Sequence, residues 1–205
     1  MTSQLKKYFF RSVGPMIIFI LLVMTETISA QKNFKIKSPD HIKIQTAGGI
    51  GFVAVGVGYR TKNQKLEGDL YYGYLPKSIG GVRIHSISAK FVWIPIYGVR
   101  RKKFIIEPLT TGIVVNYSFG KQYFSFDPPY YPYRYYSFPT AIHSALFLGS
   151  RLGFNFPTNT FVRRLSLYYE ILSFDREILS LVSNPKSLQI TDIVTLSLGV
   201  KVNIE

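Results

Sequence analysis

The sequence predicts an all-β fold: an antiparallel, up-and-down transmembrane β-barrel of about eight strands. Three observations predict it, namely period-two alternation in short segments, the residue types on the two faces, and the uneven lengths of the connections. The last segment shows the alternation most clearly. Ile190, Val194, Leu196, Leu198, Val200, Val202 and Ile204 fall on one parity, and Thr191, Thr195, Ser197, Gly199, Lys201 and Asn203 on the other. Only Asp192 and Ile193 break the pattern. Successive side chains of a strand point to opposite faces, so this segment has one apolar face and one small, polar face.

The first thirty residues stand apart. Lys6, Lys7 and Arg11 precede an apolar run from Met16 to Met24, which ends near Ser29-Ala30. A positive region, a short apolar core and a small-residue exit define a secretory signal peptide. The run is shorter than the roughly 20 residues that an anchoring helix needs. Residues 1–30 are therefore expected to be a signal peptide, with Gln31 opening a single domain that spans 31–205. The chain has no Cys, which leaves no lipoprotein anchor and no disulfide framework. Its formal net charge of +14 favours an anionic partner. Nucleic acid is a poor counterpart for an exported chain without a recognisable binding motif; lipid or lipopolysaccharide phosphate fits better, and a merely solvated basic surface is an equal alternative.

Taken in order, Gly48–Arg60 sets Val53, Val55, Val57 and Tyr59 against Ala54, Gly56 and Gly58. Its glycines complete no GxGxxG and lead into no helix pattern, so they read as small residues on the inner wall of a narrow barrel. Leu66, Gly68, Leu70, Tyr72 and Tyr74 next oppose Glu67, Asp69, Tyr71 and Gly73. Ile87, Ala89, Phe91 and Trp93 oppose Ser86, Ser88 and Lys90. The basic turn Gly98–Lys103 leads into Phe104–Tyr117, whose parity is disturbed at Glu107-Pro108, the sign of a bulge. Ala141–Phe156 and Leu165–Ile171 alternate again, and Asp175–Gln189 is a longer connection with one helical turn at Glu177–Val182. These segments make seven strands. Bacterial single-chain barrels are even-stranded, so an eighth is expected within Asn33–Thr46, where alternation is weak.

Alternation alone leaves the oily side open, because a lipocalin-like carrier has the same period with an apolar lumen. The polar parity here is mostly Ser, Thr, Gly and Asn, whereas a water-facing sheet carries many Lys and Glu. Aromatic residues cluster near strand ends, at Tyr59, Tyr72, Tyr74, Trp93, Tyr117 and Phe156. Connections are short after Arg60, Ile96 and Phe156 and longer after Leu75, Phe119 and Phe174. Girdles, short periplasmic turns and longer external loops are properties of outer-membrane barrels. Such an interior is about filled by side chains. Glu67, Asp69, Lys90, Arg151 and Glu170 share the inner parity, and buried charges persist when paired. A plugged lumen is the expectation.

Tyr123, Tyr130, Tyr131, Tyr133, Tyr135 and Tyr136 lie in the proline-broken stretch Gly120–Pro139, as an aromatic loop surface or a lid at the membrane interface. His143-Ser144, with Glu170 as a third member, is the one set that suggests catalysis. Adjacent residues of a strand face opposite ways, so no catalytic residue is assigned. His41 and His85 have no metal-ligand spacing and read as surface or interface residues. No metal and no cofactor is expected.

Gly73-Tyr74-Leu75-Pro76, Glu107-Pro108-Leu109-Thr110-Thr111-Gly112 and Leu196-Ser197-Leu198-Gly199-Val200, behind a signal peptide and beside a tyrosine-rich loop, carry a resemblance. The chain resembles small bacterial outer-membrane β-barrel proteins, broadly OmpX-like and especially those of Bacteroidota. The resemblance implies residence in the outer membrane of a Gram-negative bacterium, insertion by the barrel assembly machinery, and contact with outer-membrane lipid and lipopolysaccharide. It implies a structural or surface-interaction role. Some small barrels are lipid A-modifying enzymes, deacylases or acyltransferases. That role and a periplasmic lipocalin-like carrier are the alternatives.

Overall fold

The computed structural model describes residues 38–47, 49–124, 140–157, 161–183, 189, 191 and 193–204. The expected signal peptide lies outside them. Eight long strands form one antiparallel sheet: β1 (His41–Ala47), β2 (Val53–Arg60), β3 (Leu66–Leu75), β4 (Ile84–Trp93), β6 (Phe104–Phe119), β7 (Ile142–Asn155), β8 (Val162–Phe174) and β9 (Thr195–Ile204). Each pairs with its neighbour in sequence, β1 pairs with β9 and β4 with β6, so the sheet closes on itself. Closure removes the free edges that an open sheet would expose.

The expected eighth strand is β1. It starts at His41, after Ser38-Pro39-Asp40, and its Ile42 and Ile44 point outward. Two other boundaries differ from the alternation. The last strand begins at Thr195 rather than Ile190, and the segment from Gly49 to Phe52 is a turn rather than strand. The basic turn after Gly98 is itself a hairpin: β5 (Val99–Arg101) pairs with Phe104–Ile106 across Lys102, which takes a positive φ of 53°. The described residues also form two short helices, α1 (Lys77–Gly80) and α2 (Asp175–Ser183), the second starting two residues before the expected helical turn. Among the described residues no helix is long and apolar enough to cross a membrane.

The alternation becomes an inside and an outside. Leu196 and Leu198 are 55% and 54% exposed, while Ser197 and Lys201 between and beyond them are 0% and 2% exposed. Val53, Val55, Val57 and Tyr59 of β2 face out, as do Leu165, Leu167, Tyr169 and Ile171 of β8. Every long strand contributes to this apolar outer wall. Its rims are aromatic: Tyr72, Tyr74, Tyr117 and Phe119 at one end, and Tyr59, Trp93, Phe104, Phe154 and Phe156 at the other.

Asp40, just before β1, and Ile204, at the end of β9, meet at the second rim, where the Ile204 N–H donates to the Asp40 carbonyl at 3.1 Å. That end also carries 61–65, 94–103 and the described residues 156–157 and 161; the opposite end carries 49–52, 76–83, and the described residues 120–124, 140–141 and 175–183. The two are called the short-turn and long-loop ends below, although the turn 49–52 is itself short. The bulge expected at Glu107-Pro108 is a register shift between Glu107 and Thr110 in the β6–β7 pairing. It puts Glu107 and Thr110 on the same inner face and accommodates Pro108, which has no N–H to give the ladder.

Candidate functional site

The lumen is built from the inner parity, and its order along the axis follows from strand register. Nearest the short-turn end lies an ionic network. Lys43 of β1 reaches two carboxylates of β3, Glu67 at 2.9 Å and Asp69 at 2.5 Å. Lys201 of β9 also pairs with Glu67, as does Arg151 of β7 at 2.8 Å. Arg151 and Arg60 both meet Glu107, at 3.4 and 2.7 Å. His41 joins through Asp69, its Nε2 lying 2.6 Å from Oδ1.

Gly58 makes this meeting possible. It sits on β2 between His41 and Asp69 in register, and a Cβ there would collide with both the Asp69 carboxylate and the His41 ring. With no side chain in the way, groups from β1 and β3 bond directly across β2.

At mid-lumen Lys90 of β4 pairs with Glu170 of β8 and lies 3.4 Å from Gln45 Oε1. Three rings surround its ammonium, with centroids at 4.6 Å (Phe147), 5.6 Å (Tyr71) and 5.7 Å (Tyr168). A cation over aromatic faces gains most where water is excluded, and Lys90 is buried. The Tyr168 hydroxyl donates to Gln45 Oε1 at 3.2 Å, and Gln45 Nε2 donates to Ser197 Oγ at 2.9 Å.

Toward the long-loop end a smaller chain runs from Ser88 to Asn116 to Ser118. Above it the turn 49–52 folds inward. Ile50 is buried, its carbonyl accepts the Ser86 hydroxyl at 2.7 Å, and it packs in the space that Gly73 leaves free.

The five residues placed on the inner parity from sequence, Glu67, Asp69, Lys90, Arg151 and Glu170, are all buried here and all ion-paired. Two of the pairs lie within the set, Lys90–Glu170 and Arg151–Glu67. The other partners come from residues outside it: His41, Lys43, Lys201, Glu107 and Arg60. His41 is a correction. It is a lumen residue, 0% exposed, because Asp40 ends the irregular entry and places His41 first on the inner face of β1. His85 is exposed on the outer wall, where its Nδ1 lies 2.6 Å from the Tyr72 hydroxyl and its ring leans on Tyr74. The lumen is also less purely polar than its residue types suggest, since Tyr71, Phe147, Tyr168, Val92 and Leu172 fill much of it.

His41, Glu67 and Asp69 offer ligand atoms within 4.8 Å of one another. They do not fit a metal ion as arranged. Lys43 already occupies both carboxylates and Lys201 takes Glu67, so a divalent cation would have to displace two ammonium groups.

The His143-Ser144 pair does not form a catalytic dyad. Each contacts Asp175 at the start of α2 instead, Ser144 through its N–H (2.9 Å) and Oγ (3.2 Å) and His143 at 3.7 Å. The other His143 nitrogen lies 3.0 Å from the Thr140 carbonyl. Glu170, the acid considered as a third member, is in the lumen with Lys90. Asp175 instead satisfies the Ser144 N–H, one residue before the β7–β8 ladder starts at Ala145. Its partial burial pushes the carboxyl up, but the N–H groups of Ser144 and Arg176 and the nearby imidazole outweigh this and hold it below its usual range.

Of the aromatic loop, Tyr123 is half-buried beside the end of β6. Tyr130, Tyr131, Tyr133, Tyr135 and Tyr136 lie outside the described residues.

Fold and site together define a closed, eight-stranded antiparallel barrel with an apolar outer wall and an ion-paired interior. Compared with known proteins, the chain matches no family model, no curated protein and no solved structure.

Proposed function

We propose that this protein is an outer-membrane barrel of a Gram-negative bacterium, exported by a signal peptide at residues 1–30, with a structural or surface-interaction role. The observation that carries this reading is the outer wall. Leucine, valine and isoleucine cover its middle on all eight long strands, and aromatic residues rim both ends. Monomeric soluble proteins rarely expose contiguous apolar patches beyond a few hundred Å². Hydrocarbon is the solvent in which such a wall is stable, and closure leaves no unpaired strand edge within it.

A lipocalin-like carrier needs the opposite arrangement, an oily lumen and a wetted exterior. The ionic network therefore favours the membrane reading over the carrier. The same network supports a plugged lumen with no open pore, because Lys43, Glu67, Lys90, Arg151, Glu170 and Lys201 are buried against one another rather than lining a channel. His143 meets the Thr140 carbonyl and Asp175, and the Ser144 hydroxyl meets Asp175; contacts spent on these partners support a non-enzymatic role over lipid A modification.

Fractionation of cell envelopes, followed by a gel with and without boiling, tests the placement. The expected result is recovery in the outer membrane with a heat-modifiable shift. Recovery in the soluble periplasm refutes it. Stepwise conductance in planar bilayers would refute the plugged lumen alone.

A further inference from the structure

Charge on the two ends of the barrel is uneven. At the short-turn end, Lys62 of the β2–β3 turn, Arg100, Arg101, Lys102 and Lys103 of the β5–β6 hairpin and Arg163 at the start of β8 are exposed. The described acids of this end are turned away from the surface. Glu67 and Glu107 are buried among cations, and Asp40 is half-buried and accepts the Arg60 N–H at 2.9 Å. At the long-loop end the described cations Lys77, Arg83, Lys121 and Arg176 are fewer and share their surface with Asp175 and Glu177. The basic residues come from three separate connections around the mouth, so they form an arc rather than one run.

The arc stands directly beside the aromatic rim. Lys65 lies over the Tyr97 ring at 4.7 Å, and its carbonyl accepts the N–H of Ile94, which follows the outward-facing Trp93. Phe104 follows Lys103 directly. In a bilayer, aromatic rings of a girdle sit at the level of the headgroups. A cation one or two residues beyond such a ring is therefore at the height of the lipid phosphates.

We propose that the short-turn end is a binding surface for anionic phospholipid headgroups, whose phosphates the arc of lysine and arginine collects around the mouth. This rests on the membrane reading above and adds to it a lipid class and a side. The hairpin carries most of it: four consecutive cations present guanidinium and ammonium groups together, and arginine matches phosphate with paired N–H donors. Each lysine or arginine near an anionic surface favours it by on the order of fivefold in local binding, and salt erodes the effect.

Trp93 is the chain's single tryptophan, half-exposed on the outer wall at this end, and so reports the lipid in contact with the arc. The protein is folded into phosphatidylcholine vesicles containing, at matched mole fraction, either brominated phosphatidylglycerol or brominated phosphatidylcholine. The expected result is severalfold stronger quenching by the brominated anionic lipid, falling toward equality in high salt and in a variant with Arg100→Gln, Arg101→Gln, Lys102→Gln and Lys103→Gln. These four side chains are exposed, and the heat-modifiable shift verifies that the variant is folded. Equal quenching by both lipids overturns the headgroup proposal while leaving the membrane placement intact. A preference that persists unchanged in the variant overturns it as well. Failure of either brominated lipid to quench Trp93 overturns the membrane placement itself.

Discussion

Removing the charge of Glu67 is the most informative perturbation of the lumen. Its carboxylate is fully buried and meets Lys43 at 2.9 Å, Arg151 at 2.8 Å and Arg60 at 3.5 Å, as well as Lys201. In Glu67→Gln, Lys43 retains Asp69, and Arg151 and Arg60 retain Glu107. Among the described ion pairs Lys201 has no second carboxylate, so the loss falls mainly on that one ammonium. Taking one partner from a buried pair costs about 3–5 kcal/mol, against roughly 0–1 kcal/mol for an exposed pair.

Urea unfolding of the barrel in lipid, followed by Trp93 fluorescence, should show Glu67→Gln losing about 3–5 kcal/mol of stability. Adding Lys201→Met to the same chain should recover a large part of that loss, since the uncompensated ammonium is then gone. A single-variant loss below about 1 kcal/mol, the level of a surface pair, refutes the reasoning, as does a double variant no more stable than the single one.

Leu198→Arg places a cation mid-wall and should cost about 2–4 kcal/mol in a bilayer, while Tyr59→Arg at the rim should cost about 0–1 kcal/mol; the same unfolding assay compares them. Gly73→Val would drive a side chain into the Ile50 carbonyl, displacing the turn 49–52 from the mouth and destabilising by about 1–3 kcal/mol. Faster hydrogen exchange of the Phe52 amide, which donates to the Tyr74 carbonyl at 2.9 Å, would report it. Asp175 is more acidic folded than unfolded, so its stabilisation is complete above the unfolded value and is lost as pH falls through the folded one. The difference in stability between the protein and Asp175→Asn, measured against pH, should therefore shrink on acidification.

Strand number and facing were legible because period two survives in nearly every segment, and a buried face cannot slip register by one residue without turning inside out. Three things were not. β1 was blurred because its inner parity, His41, Lys43 and Gln45, is as polar as a loop, and only the partners on β3 and β9 explain those residues there. Glu107 was hidden by the bulge, which changes parity partway along β6. The pairings themselves were out of reach. Parity says that Lys90 and Glu170 face inward, but that they touch depends on how the strands are staggered around the closed wall. The same holds for Tyr71, Phe147 and Tyr168, since parity does not bring a cation to the face of a ring.

The seam between the first and last strands sets Lys43 directly opposite Lys201. Like charges facing each other across a ladder repel, and an isolated ribbon of these two strands would be weakened at its centre. The neutralising oxygens belong to Glu67, which arrives on neither strand of the seam but on the third. Pairing the first strand of the barrel with its last is therefore favoured once the hairpin of β2 and β3 is seated, which disfavours premature circularisation of an incomplete wall.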